Sequence, residues 1–254
     1  MYIRTFTFLA LAIPAWAEHP LIGNWRMNLA KSTGVPTQIS TFERDGEFLT
    51  NVNGSRTYKF KVDGKEYPVT GDESGLTASW AMIGRETYEH TMKKDGKVQY
   101  TVQTTFLSGG NRRIWSQTRV LENGTTVMIE AEQERVGGTI DRDYPLAGKW
   151  RLVPMARYEA DGQGVRFRSG LLSFSAAFDG KDYPVIGSTA VDAVSLRVVD
   201  REMKVEAVFK KSGDVRSTSV LRVSPDGKIL TSQTKGTRAN GEAFASTAVF
   251  DRVP

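Results

Sequence analysis

The sequence predicts an all-β protein made of two tandem, up-and-down antiparallel barrels of eight to ten strands each. Three observations lead there. The stretch Asp63-Gly64-Lys65-Glu66-Tyr67-Pro68-Val69-Thr70-Gly71 returns 116 residues later as Asp179-Gly180-Lys181-Asp182-Tyr183-Pro184-Val185-Ile186-Gly187, with seven of nine positions identical. Repetition of that length in one chain marks an internal duplication. Between the turn signals, segments alternate with period two: Val98, Tyr100, Val102, Thr104 and Phe106 share one face, and Gln99, Thr101, Gln103 and Thr105 the other, the pattern of a half-buried strand. The turn signals are Asp45-Gly46, Asn53-Gly54, Asp95-Gly96, Asn123-Gly124, Asp226-Gly227 and Asn240-Gly241. Such pairs supply the positive φ that tight hairpins need.

Taken in order, residues 1–17 read as an export signal. Arg4 gives the charged start, Phe6 to Ile13 the apolar core, and Ala15-Trp16-Ala17 the cleavage site before Glu18. The apolar run is too short to span a bilayer, and no later run approaches that length. The expected mature protein is therefore secreted or periplasmic. The net charge of +5 is spread among residues of both signs, with no basic arm, so no nucleic-acid partner is expected. The chain has no cysteine. That excludes disulfides, a thiol nucleophile and thiolate metal sites, and leaves core burial and strand pairing to stabilise an exported fold.

Each half opens on the same motif: Pro20-Leu21-Ile22-Gly23-Asn24-Trp25-Arg26 and Pro145-Leu146-Ala147-Gly148-Lys149-Trp150-Arg151. The expected domains are residues 18–137 and 144–254, with 138–143 as linker, each large enough for its own core. Further segments correspond, among them Lys93-Lys94-Asp95-Gly96 with Lys210-Lys211-Ser212-Gly213, Ser116-Gln117-Thr118 with Ser232-Gln233-Thr234, and Glu134-Arg135-Val136 with Asp251-Arg252-Val253. Many sequential antiparallel strands leave exposed edges unless the sheet closes. A small barrel closes it, and a two-sheet sandwich is the competing solution. A short helix is expected only over Leu29 to Gly34.

The Gly-x-Trp on the first strand and the Arg on the last strand of each half resemble the lipocalin and fatty-acid-binding-protein group of ligand-binding barrels, the calycins. In that group the Trp lies at the closed end and an Arg from the final strand packs across it. Carried over, the resemblance pairs Trp25 with Arg135 and Trp150 with Arg252 as barrel-closing residues, a favourable guanidinium–indole contact. The middle lipocalin signature, Thr-Asp-Tyr, is absent. The Asp-Gly-Lys-x-Tyr-Pro-Val-x-Gly stretch resembles repeats in secreted bacterial proteins of unassigned function and brings no activity with it.

No nucleophile elbow, zinc-protease helix or phosphate loop is present. The two histidines are His19 and His90. His90 falls on the inward face between Tyr88 and Met92, where a buried structural or ligand-contacting histidine is favoured over a general base. On the following strand two parities stay open. Ile114, Ser116 and Thr118 face inward, with hydroxyls in a partly wet cavity, or Trp115 and the Gln117 stem do. Glu130, Glu132 and Glu134 read as a solvated stripe rather than a metal site. The Asn-Gly turns explain both N-glycosylation patterns without modification. No cofactor or metal is expected. The leading expectation is a non-catalytic binding protein for a small apolar or amphipathic ligand, with a cavity lined by Tyr88, His90, Tyr100, Phe106, Ser116 and Thr118. The alternative is a structural or protein- or glycan-interaction module with filled barrels and exposed aromatics such as Trp80 or Trp115. An enzyme is the third reading, and no protein partner is identified.

Overall fold

The computed structural model describes residues 19–254 except 72–74, 108, 121–125, 163 and 201–203. The expected export signal and the Asn123-Gly124 turn lie outside the described residues. Among the described residues the regular structure is entirely β, and no helix is long and apolar enough to cross a membrane.

The strands run in chain order: β1 Gly23–Met27, β2 Ile39–Asp45, β3 Phe48–Asn53, β4 Arg56–Phe60, β5 Glu66–Pro68, β6 Leu76–Gly84, β7 Thr87–Lys94, β8 Lys97–Phe106, β9 Arg112–Val120 and β10 Thr126–Gly137. They continue with β11 Gly148–Val153, β12 Met155–Asp161, β13 Gly164–Ser169, β14 Leu172–Ala177, β15 Asp179–Pro184, β16 Ala193–Val198, β17 Val205–Lys211, β18 Asp214–Val223, β19 Ile229–Thr237 and β20 Ala243–Val253. They form two ten-stranded antiparallel sheets. One, the early barrel, is ordered β4-β3-β2-β11-β10-β9-β8-β7-β6-β5. The other, the late barrel, is ordered β14-β13-β12-β1-β20-β19-β18-β17-β16-β15.

Both sheets curl until their end strands nearly meet. In the early barrel Thr57 and Thr70 exchange two backbone hydrogen bonds of 2.9 Å. In the late barrel Ser173 and Ile186 do the same at 3.0 and 2.9 Å. Near-closure satisfies edge groups that would otherwise template aggregation. The hairpins follow the turn chemistry. Asp95 and Gly96 have φ of 48° and 76°, and Ser212 and Gly213 have 53° and 88°, the two consecutive positive values of a type I′ turn.

The compact units are not the two consecutive halves of the chain. One unit holds Arg26–Met155 with Ser169–Leu171. The other holds the described residues through Trp25, Ala156–Arg168 and Leu172–Pro254. The opening strands are the reason: β11 lies between β10 and β2 in the early barrel, and β1 lies between β12 and β20 in the late barrel.

This exchange corrects the expected Trp–Arg pairing. Arg135 lies over Trp150, 4.3 Å from the ring centroid, and Arg252 lies over Trp25 at 4.2 Å. The physical cause is local. β11 is the next strand after β10 and meets it in antiparallel register, with Arg135 opposite Trp150. β1 is then the strand left to seal the late barrel. The closures have the same chemistry. Each Trp is fully buried and donates its indole N–H to the carbonyl four residues back, Leu21 or Leu146, at 2.8 Å. Each Arg donates to the carbonyls of the opening motif: Arg135 to Pro145 and Ala147, Arg252 to Pro20 and Ile22. The glycine of each Gly-x-Trp is required twice over. Its φ is +144° at Gly23 and +122° at Gly148, and a Cβ there would overlap the guanidinium of Arg252 or Arg135.

Each barrel has an apolar core. Phe42, Leu49, Phe60, Ala78, Met92 and Phe106 pack in the early one, and Val165, Phe174, Val194, Leu196, Val205 and Leu230 are buried in the late one. Burial of each large side chain contributes about 1.5–3 kcal/mol, which stands in for the missing disulfides. The helix expected over Leu29–Gly34 is replaced by a single turn, in which Lys31 N–H bonds the Asn28 carbonyl at 3.2 Å.

Candidate functional site

The alternation of β6 to β10 aims one set of side chains into the early barrel. β6 contributes Trp80, β7 His90, β8 Tyr100, Val102 and Thr104, β9 Arg113, Trp115 and Gln117, and β10 Ile129, Ala131 and Gln133. With Tyr58 from β4 and Phe42 from β2, they surround a cavity of 270 Å³.

One wall is an aromatic stack tied by hydrogen bonds. The His90 ring lies 4.6 Å from Trp80 at 12° and 6.0 Å from Tyr58 at 13°. The Trp80 indole N–H donates to the Tyr58 hydroxyl at 3.1 Å, and that hydroxyl sits 3.4 Å from His90 Nε2. Which of the hydroxyl and Nε2 donates to the other is set by the imidazole tautomer. Burial drives His90 down to about 3 and pushes the Tyr58 hydroxyl well above its ordinary value. Both are therefore neutral at physiological pH, and neither is suited to general acid–base work there.

The other wall carries the one charge of the cavity lining. Arg113 is 2% exposed. Its Nε donates to Gln133 Oε1 at 2.7 Å. Its guanidinium lies 4.1 Å from the Trp150 centroid and 5.1 Å from that of Phe42. Its Nη1 has no hydrogen-bond partner. Burial, with the nearby Arg135 adding to it, lowers its pKa well below the usual arginine value.

On β10's opposite face Glu132 is buried, not solvated as expected. It accepts from Arg112 at 2.7 and 2.8 Å and from Arg26 at 3.0 and 2.7 Å. Burial alone would raise its pKa, but the two guanidiniums outweigh that and hold it at about 2. Glu134 pairs with Arg151. These carboxylates are committed to arginines, and among the described residues no group of three or more His, Asp and Glu is arranged to hold a metal.

Of the six residues expected to line a cavity, His90 and Tyr100 do so. Phe106 packs in the core against Tyr88 and Trp150, with centroids 5.8 and 5.6 Å away. Tyr88 lines a separate, more open depression of 350 Å³ with Leu49, Val62, Met82 and Leu146. Three charged groups at that depression have partners: Lys61 bonds Glu47 at 2.6 Å, and Asp63 accepts from Tyr67 at 3.1 Å. Ser116 and Thr118 correct the expectation: they face outward. Ser116 reaches Glu130 at 3.4 Å, and Thr118 is exposed. Arg113, Trp115 and Gln117 take the inward face of β9. Ile114, on the outward face with Ser116 and Thr118, is 39% exposed. An apolar side chain outside a barrel costs little. The signal for the correct parity was the alternation Arg113-x-Trp115-x-Gln117, with three polar or amphipathic groups on one face.

Strand pairing also shows what replaces the site in the late barrel. Arg113 stands opposite Gln133 in the early barrel, two residues before the closing Arg135. Leu230 stands opposite Phe250, two residues before Arg252, in the late one. His90 faces Trp80 across β6 and β7, and Ala207 faces Leu196 across β16 and β17. Gln117 thus corresponds to Thr234, so the matching Ser-Gln-Thr triplets are one residue out of structural step.

No protein-family model matches the chain, and no curated protein matches it.

Proposed function

We propose that this chain is a non-catalytic carrier that holds one small amphipathic molecule inside its early barrel. The observation that carries the reading is the 270 Å³ interior cavity, whose aromatic wall of Trp80, His90 and Tyr58 faces buried Arg113, Gln117 and Gln133. Apolar walls with a few fixed polar groups are the usual design of a small-molecule site. At the places of Trp80, His90, Arg113 and Gln133 the late barrel has Leu196, Ala207, Leu230 and Phe250, and it serves in this reading as the structural partner. The Gly-x-Trp and closing Arg of each half support kinship with the calycin barrels, and the matching halves support an ancestral duplication. The charged start, apolar core and Ala-x-Ala of residues 1–17 support export, with action outside the cytoplasm. Trp80 is buried, which removes one of the two aromatics that an outer interaction patch would have used.

The test is native mass spectrometry of the mature protein purified from its own host, followed by solvent extraction. One small molecule per chain supports the carrier reading. A bare mass, together with failure to bind any of a panel of eight- to ten-atom acids, alcohols and amides, would overturn it.

A further inference from the structure

We infer that the early barrel carries a second binding site, the open depression beside Tyr88, and that this site takes a small organic cation, an ammonium on a short apolar body. It is separate from the interior cavity and does not rest on the carrier reading. The depression of 350 Å³ has an apolar floor that includes Leu49, Val62, Met82 and Leu146. Leu49 and Leu146 are buried, whereas Met82 is 62% exposed at its edge. Tyr88 is the polar group built into that floor. It is 7% exposed, and its hydroxyl makes no hydrogen bond among the described residues. The hydroxyl is not sealed in the core, so it opens onto the depression. A nearly buried phenol without a protein partner is best satisfied by a group arriving from outside.

The rim sets the sign of the charge. Glu47, Asp63 and Asp143 stand there against a single lysine, Lys61. The hydrogen bond from Lys61 holds the Glu47 carboxyl below its ordinary value, and the one from the Lys65 backbone N–H does the same for Asp63. Both are therefore ionised at neutral pH. Asp143 is exposed, and its carboxylate makes no hydrogen bond or ion pair among the described residues. No three of the described acids are gathered to hold a metal. The arrangement suits a cation that lays an apolar body on the floor and donates its N–H to the Tyr88 oxygen.

The late barrel fills the same place with rings. His19, which precedes Pro20 as Tyr144 precedes Pro145, stacks on Phe178 with centroids 4.7 Å apart. Phe178 precedes the repeated Asp-Gly-Lys as Val62 does, and Val205 takes the place of Tyr88. In the early barrel Tyr144 lies instead under Arg44, 3.8 Å from the ring centroid, with Arg44 tied to Asp141. The smaller Val62 leaves the floor open.

The experiment titrates the mature chain with hexylammonium, 1-hexanol and hexanoate by calorimetry, with the Met82 methyl group followed by NMR. Hexylammonium should shift Met82 and bind about tenfold more tightly than hexanol, the low end for a hydrogen bond to a charged group. Its affinity should fall as salt is raised. Tyr88→Phe should weaken it about 5- to 10-fold and Asp143→Asn about two- to fivefold. Val62→Phe, which copies the late barrel, should abolish binding while the Ile129 and Ala131 methyl signals stay in place as a check on the fold. Hexanol or hexanoate binding as tightly as hexylammonium would overturn the cation assignment, and unchanged affinity in Tyr88→Phe would overturn the site. Shifts at Ile129 and Ala131 with Met82 unmoved would place the ligand in the interior cavity, which overturns this inference and leaves the carrier reading standing. Failure of hexylammonium to bind would overturn the inference alone.

Discussion

The two barrels share strand order, near-closure and a buried Trp capped by an Arg, yet their interiors differ at corresponding places. The early barrel has Trp80, His90, Arg113 and Gln133 where the late one has Leu196, Ala207, Leu230 and Phe250. The features that make a barrel lie at its closed end and in its hairpins: Gly148 and Gly23 at positive φ, the Trp–Arg stacks, and the Asp95-Gly96 and Ser212-Gly213 turns. The features that make a site lie on the middle of five strands, where the fold tolerates either a packed apolar residue or a polar one. One sheet topology therefore carries two different interiors within one chain.

The sharpest way to break this comparison is to move the charge. Leu230→Arg places an unpaired guanidinium in the late barrel, with Phe250 where Gln133 would hold it, and should destabilise by about 4–5 kcal/mol. Urea unfolding measures the loss. A cost under about 1 kcal/mol would show that the late interior accommodates the charge and that the barrels differ little.

Next come the closing tryptophans. Trp25→Ala and Trp150→Ala should each cost about 3–4 kcal/mol in the same assay, from lost packing, the indole hydrogen bond and the cation–π contact. Only W150A should also weaken ligand binding, because Trp150, and not Trp25, lies against Arg113. Equal effects of both on binding would contradict the assignment of each opening strand to its barrel.

Acid should separate the barrels by a smaller margin. His90 titrates near 6.5 when unfolded and near 3 when folded, because burial disfavours its charge. Its neutral form therefore supports the fold fully above about pH 6.5, and that support is lost as pH falls toward 3. His19, lowered to about 4 by burial, behaves likewise over the upper part of that range. Glu132 has the carboxylate's version: its contribution is complete above about pH 4.5 and is lost as pH falls toward 2. His90→Phe should flatten the stability profile between pH 6.5 and 4.5 by about 2 kcal/mol, read from urea midpoints at the two pH values. An unchanged slope would mean that His90 is solvated. The smallest effects belong to Ser116→Ala and Thr118→Ala, which face outward and should change stability by less than about 0.5 kcal/mol and leave binding unchanged.

Much of the fold was legible because its causes are local. Alternation on β7 and β8, the paired positive φ values of the Asp-Gly turn, and the returning nine-residue stretch all act over a few residues. The strand exchange was not legible, for a specific reason. Pro20-Leu21-Ile22-Gly23-Asn24-Trp25-Arg26 and Pro145-Leu146-Ala147-Gly148-Lys149-Trp150-Arg151 present the same carbonyls, glycine and indole to a closing Arg. Either motif fits either barrel, and chain connectivity decides. On β9 both faces mix apolar and polar residues, so alternation left two parities open, and the fold puts Arg113, Trp115 and Gln117 inward. The Ser-Gln-Thr triplets match in sequence but lie one residue out of step in structural position.

The claim that the early barrel alone bears the site is tested most directly by methyl NMR of the mature chain, labelled at Ile and Ala and titrated with octanoate. Ile129 and Ala131 report from the early interior, and Ala207 and Ala248 from the late one. The account predicts saturable shifts at Ile129 and Ala131 with Ala207 and Ala248 unmoved. Comparable shifts in both pairs, or shifts in the late pair alone, would contradict it.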